Sequence, residues 1–157
     1  MATSITAATL TVTLTEAISL NEQDKGSTNS FTIASVTEVS QRIVNVPTSE
    51  VTLLAFQATT PGAATFNEAD VRYIRLTNKD DTNFVQITIK DESNDEVAFK
   101  LENGKSFIYT VSDEGTVATM LASASAVAVP ATFVDLANIT ALADTAACDV
   151  EYFVAGV

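Results

Sequence analysis

The sequence predicts an all-β protein, namely a single-domain antiparallel β-sandwich of jelly-roll or Ig-like topology spanning residues 1–157. The first observation is a period of two near the N-terminus, where Leu10, Val12 and Leu14 alternate with threonines. The second is the recurrence of turn-forming residues about every 8 to 12 positions. The third is size, because 157 residues of which 46% are hydrophobic can bury a core within one domain.

The N-terminal strand has apolar side chains on one face and threonines on the other. Threonine suits an exposed pleated face because it is β-branched yet polar. No charged residue precedes Glu16. If this strand lies at the edge of a sheet, no charged side chain hinders its pairing with a strand of another chain. Leu10, Val12 and Leu14 are therefore candidates for a subunit interface.

Turn-rich and strand-like segments alternate over the next sixty residues. Asn21–Ser30 (NEQDKGSTNS) reads as a turn or loop by composition, and Pro47 marks a bend or an edge between strands. Gln57–Asp70 is the longest predicted loop, and long loops often carry binding residues. Phe66 within it is a further interface candidate, as an aromatic anchor. The strand regions predicted before this loop begin at Phe31, at Ile43 and at Val51.

The middle of the chain predicts a four-stranded meander. Asn103-Gly104 would close a tight hairpin between its last two strands, since both residues accept positive φ. Alternation predicts that Ile74, Leu76, Val85, Ile87 and Ile89 face one buried layer. The four predicted strands are Val71–Asn78, Val85–Lys90, Val97–Leu101 and Phe107–Val111.

The C-terminal third gives a less regular pattern. Thr116–Val129 fits either a strand or a short buried helix. Thr132-x-x-Asp135, followed by Leu136, Ile139 and Leu142, predicts one short capped helix near residues 132–144. Cys148–Val154 reads as a closing strand, with Cys148 as a small buried residue rather than a reactive thiol.

The net charge of the chain limits which kinds of partner it can bind. The net charge is −12, and no lysine or arginine follows Lys105. Such a surface repels phosphate, so we expect no nucleic-acid binding. The acids indicate either a solvated surface that aids solubility or a face that docks on a basic partner. We expect no membrane span and no targeting segment, because the apolar run Met120–Val134 is short and interrupted by polar residues and proline.

The residue inventory argues against catalysis and cofactor binding. The chain has no histidine and one cysteine, which excludes Ser-His-Asp and Cys-His triads and disfavours a zinc site. No glycine-rich phosphate loop occurs. The adjacent acids, such as Asp80-Asp81, fall in predicted turns rather than across a cleft. We therefore expect no enzymatic activity, no catalytic residue and no cofactor.

One segment partly matches a calcium-binding loop. In DESNDEVAFKLE, the residues Asp91, Ser93 and Asp95 alternate and Glu102 stands at the twelfth position. Glu96 replaces the glycine that such a loop needs, and Val97–Leu101 reads as a strand rather than a helix. The competing interpretation is a polar hairpin turn.

Residues 71–111 contain two recognisable strand patterns. Arg72, Tyr73, Ile74, Arg75 and Asn78 form an "RYIRI-N" strand. A later apolar strand and a "pG-SFI" hairpin are formed by Phe99, Leu101, Gly104, Ser106, Phe107 and Ile108. Together these patterns resemble small virion proteins of tailed bacteriophages.

The resemblance implies a non-enzymatic structural protein of the virion. Such proteins are β-sandwich subunits of decoration, cement or head-to-tail assemblies, and many form trimers. It therefore implies a homo-oligomer, with a trimer as the expected form, that contacts other virion proteins such as the major capsid protein. The alternative is a soluble carbohydrate- or ligand-binding module of receptor-binding or adhesion type, with Tyr73, Tyr109, Tyr152 and turn acids as its site.

Overall fold

The structure is a computed structural model that describes residues 4–58, 65–110 and 135–157. In these residues the chain forms thirteen β-strands and no helix, so the all-β prediction is confirmed. The predicted strand or helix at Thr116–Val129 and the apolar run Met120–Val134 lie outside the described residues. The strands are β1 (Ala8–Glu16), β2 (Ser19–Leu20), β3 (Gln23–Asp24), β4 (Ser27–Val36), β5 (Glu38–Val46), β6 (Val51–Gln57), β7 (Thr65–Asn67), β8 (Val71–Asn78), β9 (Val85–Asp91), β10 (Glu96–Leu101), β11 (Ser106–Thr110), β12 (Leu136–Ala143) and β13 (Cys148–Gly156).

The chain divides into two compact units. The first runs up to Glu38 and also includes Val157, and the second is Val39–Gly156. The first unit contains β1 to β4, whereas β6 to β13 lie in the second, and β5 begins at the boundary.

The second unit is a β-sandwich of two sheets. One sheet has five strands in the order β10-β9-β12-β6-β7, and the other has four in the order β11-β8-β13-β5. Strands β8 and β13 pair antiparallel, as do β9 and β12, whereas the short β7 pairs parallel to β6. The antiparallel β-sandwich prediction therefore holds, with one parallel pair at the end of the larger sheet.

Both sheets contribute side chains to one apolar core. Ile74 and Leu76 come from the four-stranded sheet, and Val85, Ile87 and Ile89 come from the five-stranded sheet. All five are buried in the same cluster, which confirms the predicted register of β8 and β9. The alternation of these two strands sets which of their side chains face the other sheet.

The meander prediction is wrong. Strands β8 and β9 lie in different sheets, and so do β10 and β11. Of these four strands, only β9 and β10 form a hairpin with each other. At Asn103-Gly104 the Lys105 amide donates to the Glu102 carbonyl at 3.1 Å, and Gly104 alone has positive φ, at 67°. A tight hairpin of the I′ type needs positive φ at both central residues. This turn therefore carries the chain across the sandwich instead of back along the same sheet.

Asn78 holds the two crossings at this end of the sandwich together. Its side-chain amide donates to the Asn83 carbonyl at 2.9 Å and to the Leu101 carbonyl at 3.1 Å. Its side-chain oxygen accepts the Asp80 amide at 3.0 Å, and its carbonyl accepts the Gly104 amide at 3.0 Å. The side chain is fully buried, so these bonds satisfy polar groups that have no access to water.

The helix predicted near residues 132–144 is wrong where the structure describes it, because Leu136–Ala143 is strand β12. Leu136 and Ile139 are both buried although they stand three positions apart. The pairing of β12 with β9 shifts between Leu136 and Asn138, which is the signature of a bulge. The extra residue in the bulge lets both side chains face the core. The resulting spacing of three positions between buried residues resembles that of a helix.

Phe66 is a core residue, which corrects its assignment as an interface anchor. It lies in β7, is buried, and its ring centroid is 6.5 Å from that of Phe56 in the neighbouring β6. The Glu68 amide also donates to the Gln57 carbonyl at 3.3 Å and extends this parallel pairing. The end of the predicted loop Gln57–Asp70 is therefore part of the five-stranded sheet.

Candidate interaction surfaces

The N-terminal hairpin, defined here as β1 to β4, is the most exposed part of the described chain. Its strands β1 and β4 pair antiparallel from Glu16 with Ser27 to Ala8 with Val36. A bulge interrupts the register near its base, where Ser35 has a left-handed backbone with φ of 60°. Within the described residues, these two strands form a sheet of their own, and neither outer edge is paired.

One face of this hairpin is a ladder of hydroxyl groups. The Thr13 and Ser30 hydroxyls lie 3.0 Å apart, and those of Thr15 and Thr28 lie 3.3 Å apart. Directly opposed hydroxyl residues stabilise an antiparallel pair through such contacts. The threonine alternation in the sequence therefore gives a polar face that is tied across the two strands.

The opposite face is apolar and changes in exposure along its length. Val12 and Ile33 are buried and Leu10 is half-buried, whereas Leu14 is 40% exposed. Of the three predicted interface residues on β1, only Leu14 thus presents a largely open side chain. Ile18 and Leu20, which follow it, are 55% and 59% exposed, and the sequence reasoning did not single them out.

The predicted turn or loop Asn21–Ser30 contains a tight turn at Asn21-Glu22, but it also contains strand β3 and the start of strand β4 at Ser27. Strands β2 and β3 pair around Asn21 and Glu22, both of which have positive φ, at 52° and 63°. Gly26 lies so close to the Glu16 carbonyl that an added Cβ would be 2.3 Å from the oxygen. This close approach requires glycine and shapes a surface depression of about 570 Å³ beside Ile18.

Among the described residues, strand β5 has an unpaired outer edge. It is the terminal strand of the four-stranded sheet, and its inward side chain Val46 belongs to the core. On the other face, Val39 and Ile43 are each 56% exposed. A nine-residue edge with exposed apolar side chains is a template for pairing with another chain.

The partial calcium motif forms the turn of the β9–β10 hairpin. One Asp91 oxygen accepts the amides of Ser93 at 2.9 Å and Asp95 at 2.8 Å, so this carboxylate closes the turn. Glu102 follows the opposite end of β10, about 20 Å away along a six-residue strand. It pairs there with Lys100 at 2.8 Å. The structure thus separates Glu102 from the other three candidates.

Metal-ligating side chains are not grouped in the described parts of the chain. Over residues 4–58, 65–110 and 135–157, no set of three or more aspartates, glutamates or cysteines is arranged to hold a metal ion. The Asp80 carboxylate instead accepts the amides of Asn83 at 2.6 Å and Thr82 at 2.8 Å. These backbone hydrogen bonds hold the pKa of Asp80 below its usual range.

Glu68, which the sequence reasoning did not single out, and the calcium candidate Asp91 are both buried carboxylates. Glu68 and Asp91 each have one buried oxygen without a hydrogen-bond partner. Burial raises the pKa of Glu68, and the negative charges of Glu92 and Asp135 raise this pKa further. The sequence signal of Glu68 is weak, because this acid directly follows the three-residue strand β7 and resembles an ordinary turn residue.

The three tyrosines do not form an exposed ligand platform. Tyr152 is in the core, and Tyr73 is buried against Phe153 with ring centroids 5.9 Å apart. Tyr109 is half-buried against the core. Burial raises the pKa of both Tyr73 and Tyr109, because the charged form would lose its hydration.

Cys148 lies at the start of β13 and is fully buried, as predicted. Burial raises the pKa of its thiol, and the nearby Asp80 carboxylate raises it further. A thiol with a raised pKa and no exposure is a poor nucleophile.

No protein-family model matches the chain, and no curated protein matches it. In the described segments, no helix has the length and apolar character needed to span a bilayer.

Proposed function

We propose that this chain is a non-enzymatic structural subunit of a bacteriophage virion, a capsid-associated decoration or cement protein. It stabilises the particle through protein–protein contacts, as a homo-oligomer, with three copies as the expected number. Its partners are further copies of itself and a shell protein such as the major capsid protein. The resemblance of residues 71–111 to small virion proteins motivates the class, and the sandwich fold agrees with it.

The observation that carries this proposal is the open N-terminal hairpin. An isolated two-stranded hairpin is at best marginally stable in water, because it buries little apolar surface. Here two long strands leave both outer edges unpaired within the described residues, and Leu14, Ile18 and Leu20 are exposed at one end. A subunit that associates through this hairpin would cover its exposed edges and apolar side chains.

The alternative, a carbohydrate-binding module, has less support from the side chains. Stacking on a sugar needs an exposed aromatic face, but Tyr73 and Tyr152 are buried. The turn acid Asp80 is engaged with backbone amides.

The first test measures the mass of the native chain in solution by light scattering. We expect an oligomer, with three times the 16.6 kDa of one chain as the leading value. Replacing Leu14, Ile18 and Leu20 together by aspartate should give a monomer whose sandwich still melts cooperatively. A control with aspartate at the exposed positions Gln86, Ala98 and Thr110 adds the same charge and should remain oligomeric.

The second test is cryo-electron microscopy of particles purified from the natural source of the sequence. We expect density for the sandwich on the outside of the shell. A chain that is absent from the particles, or a wild-type monomer that binds glycans, would contradict the proposal.

A further inference from the structure

In the described part of the chain, the outer edge of strand β5 has no partner, which leaves room for one additional strand. It spans nine residues at the end of its sheet, and its outward side chains Val39 and Ile43 are exposed. An added strand would use the main-chain groups of β5 as hydrogen-bond partners and could cover these two side chains.

The N-terminal hairpin presents a strand of the same length. β1 also spans nine residues, and its outer edge is unpaired in the described chain. The hydroxyl ladder fixes β1 against β4 through Thr13 and Thr15. The strand is therefore already extended before it meets a partner, which lowers the entropic cost of pairing.

Charge also favours a second copy at these strands. Each copy carries a net charge of −12, so two copies repel each other over much of their surfaces. β1 has a single charged residue, Glu16 at its end, and in β5 the charges of Glu38 and Arg42 cancel. These edges are places where two copies can approach at low electrostatic cost.

The strand edges supply part of the contact area. A nine-residue strand is about 30 Å long, so one paired edge covers about 300 Å² on each side. In a ring, each copy gives β1 to one neighbour and receives β1 from the other, so the edges bury about 300 Å² per partner, less than the roughly 800 Å² of a standard interface. The exposed side chains Leu14, Val39 and Ile43 add to each contact, and a closed ring repeats the contact at every copy.

From these observations we propose that β1 of one copy pairs with the open edge of β5 in a second copy of the same chain. This inference rests on the proposed structural function and identifies the pair of strands through which the copies associate. Each copy acts as donor and acceptor, so the contact builds a closed ring when the rotation between copies closes.

The first experiment places charges on the acceptor edge. In the full-length chain, Val39→Lys combined with Ile43→Lys should weaken self-association at least about tenfold, because a lysine cannot be buried beneath the incoming strand. Both side chains are exposed, so the melting temperature should change little. Ser106→Lys with Thr110→Lys is the matched control, since it puts two lysines at exposed positions on β11, the opposite edge of the same sheet.

The second experiment detects the strand pair directly. Copies that carry a cysteine at Thr9, Thr11 or Thr13 are mixed with Gln41→Cys copies and oxidised, while the buried Cys148 gives little background. We expect disulfides that join the two kinds of copy at one or more of the three positions. Thr110→Cys on β11 should give none.

The outcomes separate this inference from the proposed function. An oligomer that survives both lysines, or disulfides only between two β1 cysteines, overturns the role of β5 and leaves the structural function standing. A wild-type chain that stays monomeric at every concentration overturns both.

Discussion

At the scale of single residues, hydrogen bonding rather than apolar packing explains the role of Asn78. This asparagine is one of the residues that match the virion strand pattern, yet the pattern alone gives it no physical role. The structure shows that its side chain satisfies carbonyls at Asn83 and Leu101, which belong to the two crossings between sheets. Only a short side chain that both donates and accepts can make these contacts in a fully buried position.

We predict that Asn78→Ala lowers the free energy of unfolding by about 2–4 kcal/mol, because it leaves several buried polar groups without partners. Urea unfolding measures the loss. Asn45→Ala is the control, because the Asn45 side-chain amide also donates a hydrogen bond, in this case to the Asp149 carboxylate at 2.9 Å, but Asn45 is exposed. Equal losses in the two variants would show that the crossings do not depend on Asn78.

The Glu68 carboxyl should oppose folding at neutral pH. Because its pKa is raised in the folded state, the folded chain binds this proton more tightly than the unfolded chain does. Its favourable contribution is therefore present below the unfolded pKa and is lost as pH rises through the folded pKa. Glu68→Gln removes this dependence, so its stability relative to wild type should increase from about pH 4 to about pH 7.

Asp80→Asn provides a comparison of opposite sign. The pKa of Asp80 is lowered by backbone hydrogen bonds, so its stabilising contribution is present above the unfolded pKa and is lost on acidification. Thermal melts test the two signs, from about pH 4 to about pH 7 for Glu68→Gln and on acidification below about pH 4 for Asp80→Asn. A Glu68→Gln difference that does not change with pH would contradict the burial argument.

At the scale of elements, the β2–β3 turn combines hairpin geometry with an unfavourable residue. Two-residue turns with positive φ at both positions favour Asn-Gly, but here the second position is Glu22 with φ of 63°. A side chain at this backbone conformation is strained, and glycine is not.

Glu22→Gly should therefore stabilise the tip of the hairpin by about 0.5–1 kcal/mol. Hydrogen exchange of the amides in β1 and β4 is the suitable measurement, because it reports local opening. Thr15→Gly, a glycine inside β1, should act in the opposite direction. Faster exchange in Glu22→Gly would mean that the turn does not limit opening of the hairpin.

Strand existence was more predictable than strand partnership. The alternation at Ile74 and Leu76 predicts a strand and a buried face correctly, because burial of one face imposes a period of two. The same pattern does not encode which sheet a strand joins, so the sequence could not show that β8 and β9 face each other across the core. At β12, the bulge between Leu136 and Asn138 produces a spacing of apolar residues that predicts a helix although the segment is a strand.

The residues of the candidate surfaces also differ in how far the sequence predicts their exposure. Leu14 was predictable because it continues an apolar alternation, whereas Ile18 and Leu20 lie near a turn whose conformation depends on Asn21 and Glu22. For Phe66 the error is reversed, because a residue predicted to be exposed at an interface is buried in the core. A segment that looks like a loop by composition places its aromatic ring in the core through a three-residue parallel strand.

At the scale of the whole molecule, charge should oppose assembly while strand edges favour it. The acids outnumber the lysines and arginines by 20 to 8. The proposed contact through β1 and β5 contains almost no net charge, so its own attraction does not depend on ion pairs. Salt should then act mainly by screening the repulsion between whole subunits.

We predict that raising sodium chloride from about 0.02 M to about 0.5 M strengthens self-association, because the Debye length falls well below the size of a subunit. Sedimentation velocity over a concentration series measures the change in Kd. The triple aspartate variant at Leu14, Ile18 and Leu20 should remain monomeric at both salt concentrations, since screening cannot restore a lost apolar contact. If salt instead dissociates the wild-type oligomer, ion pairs hold the copies together, and the acidic surface is itself the interface.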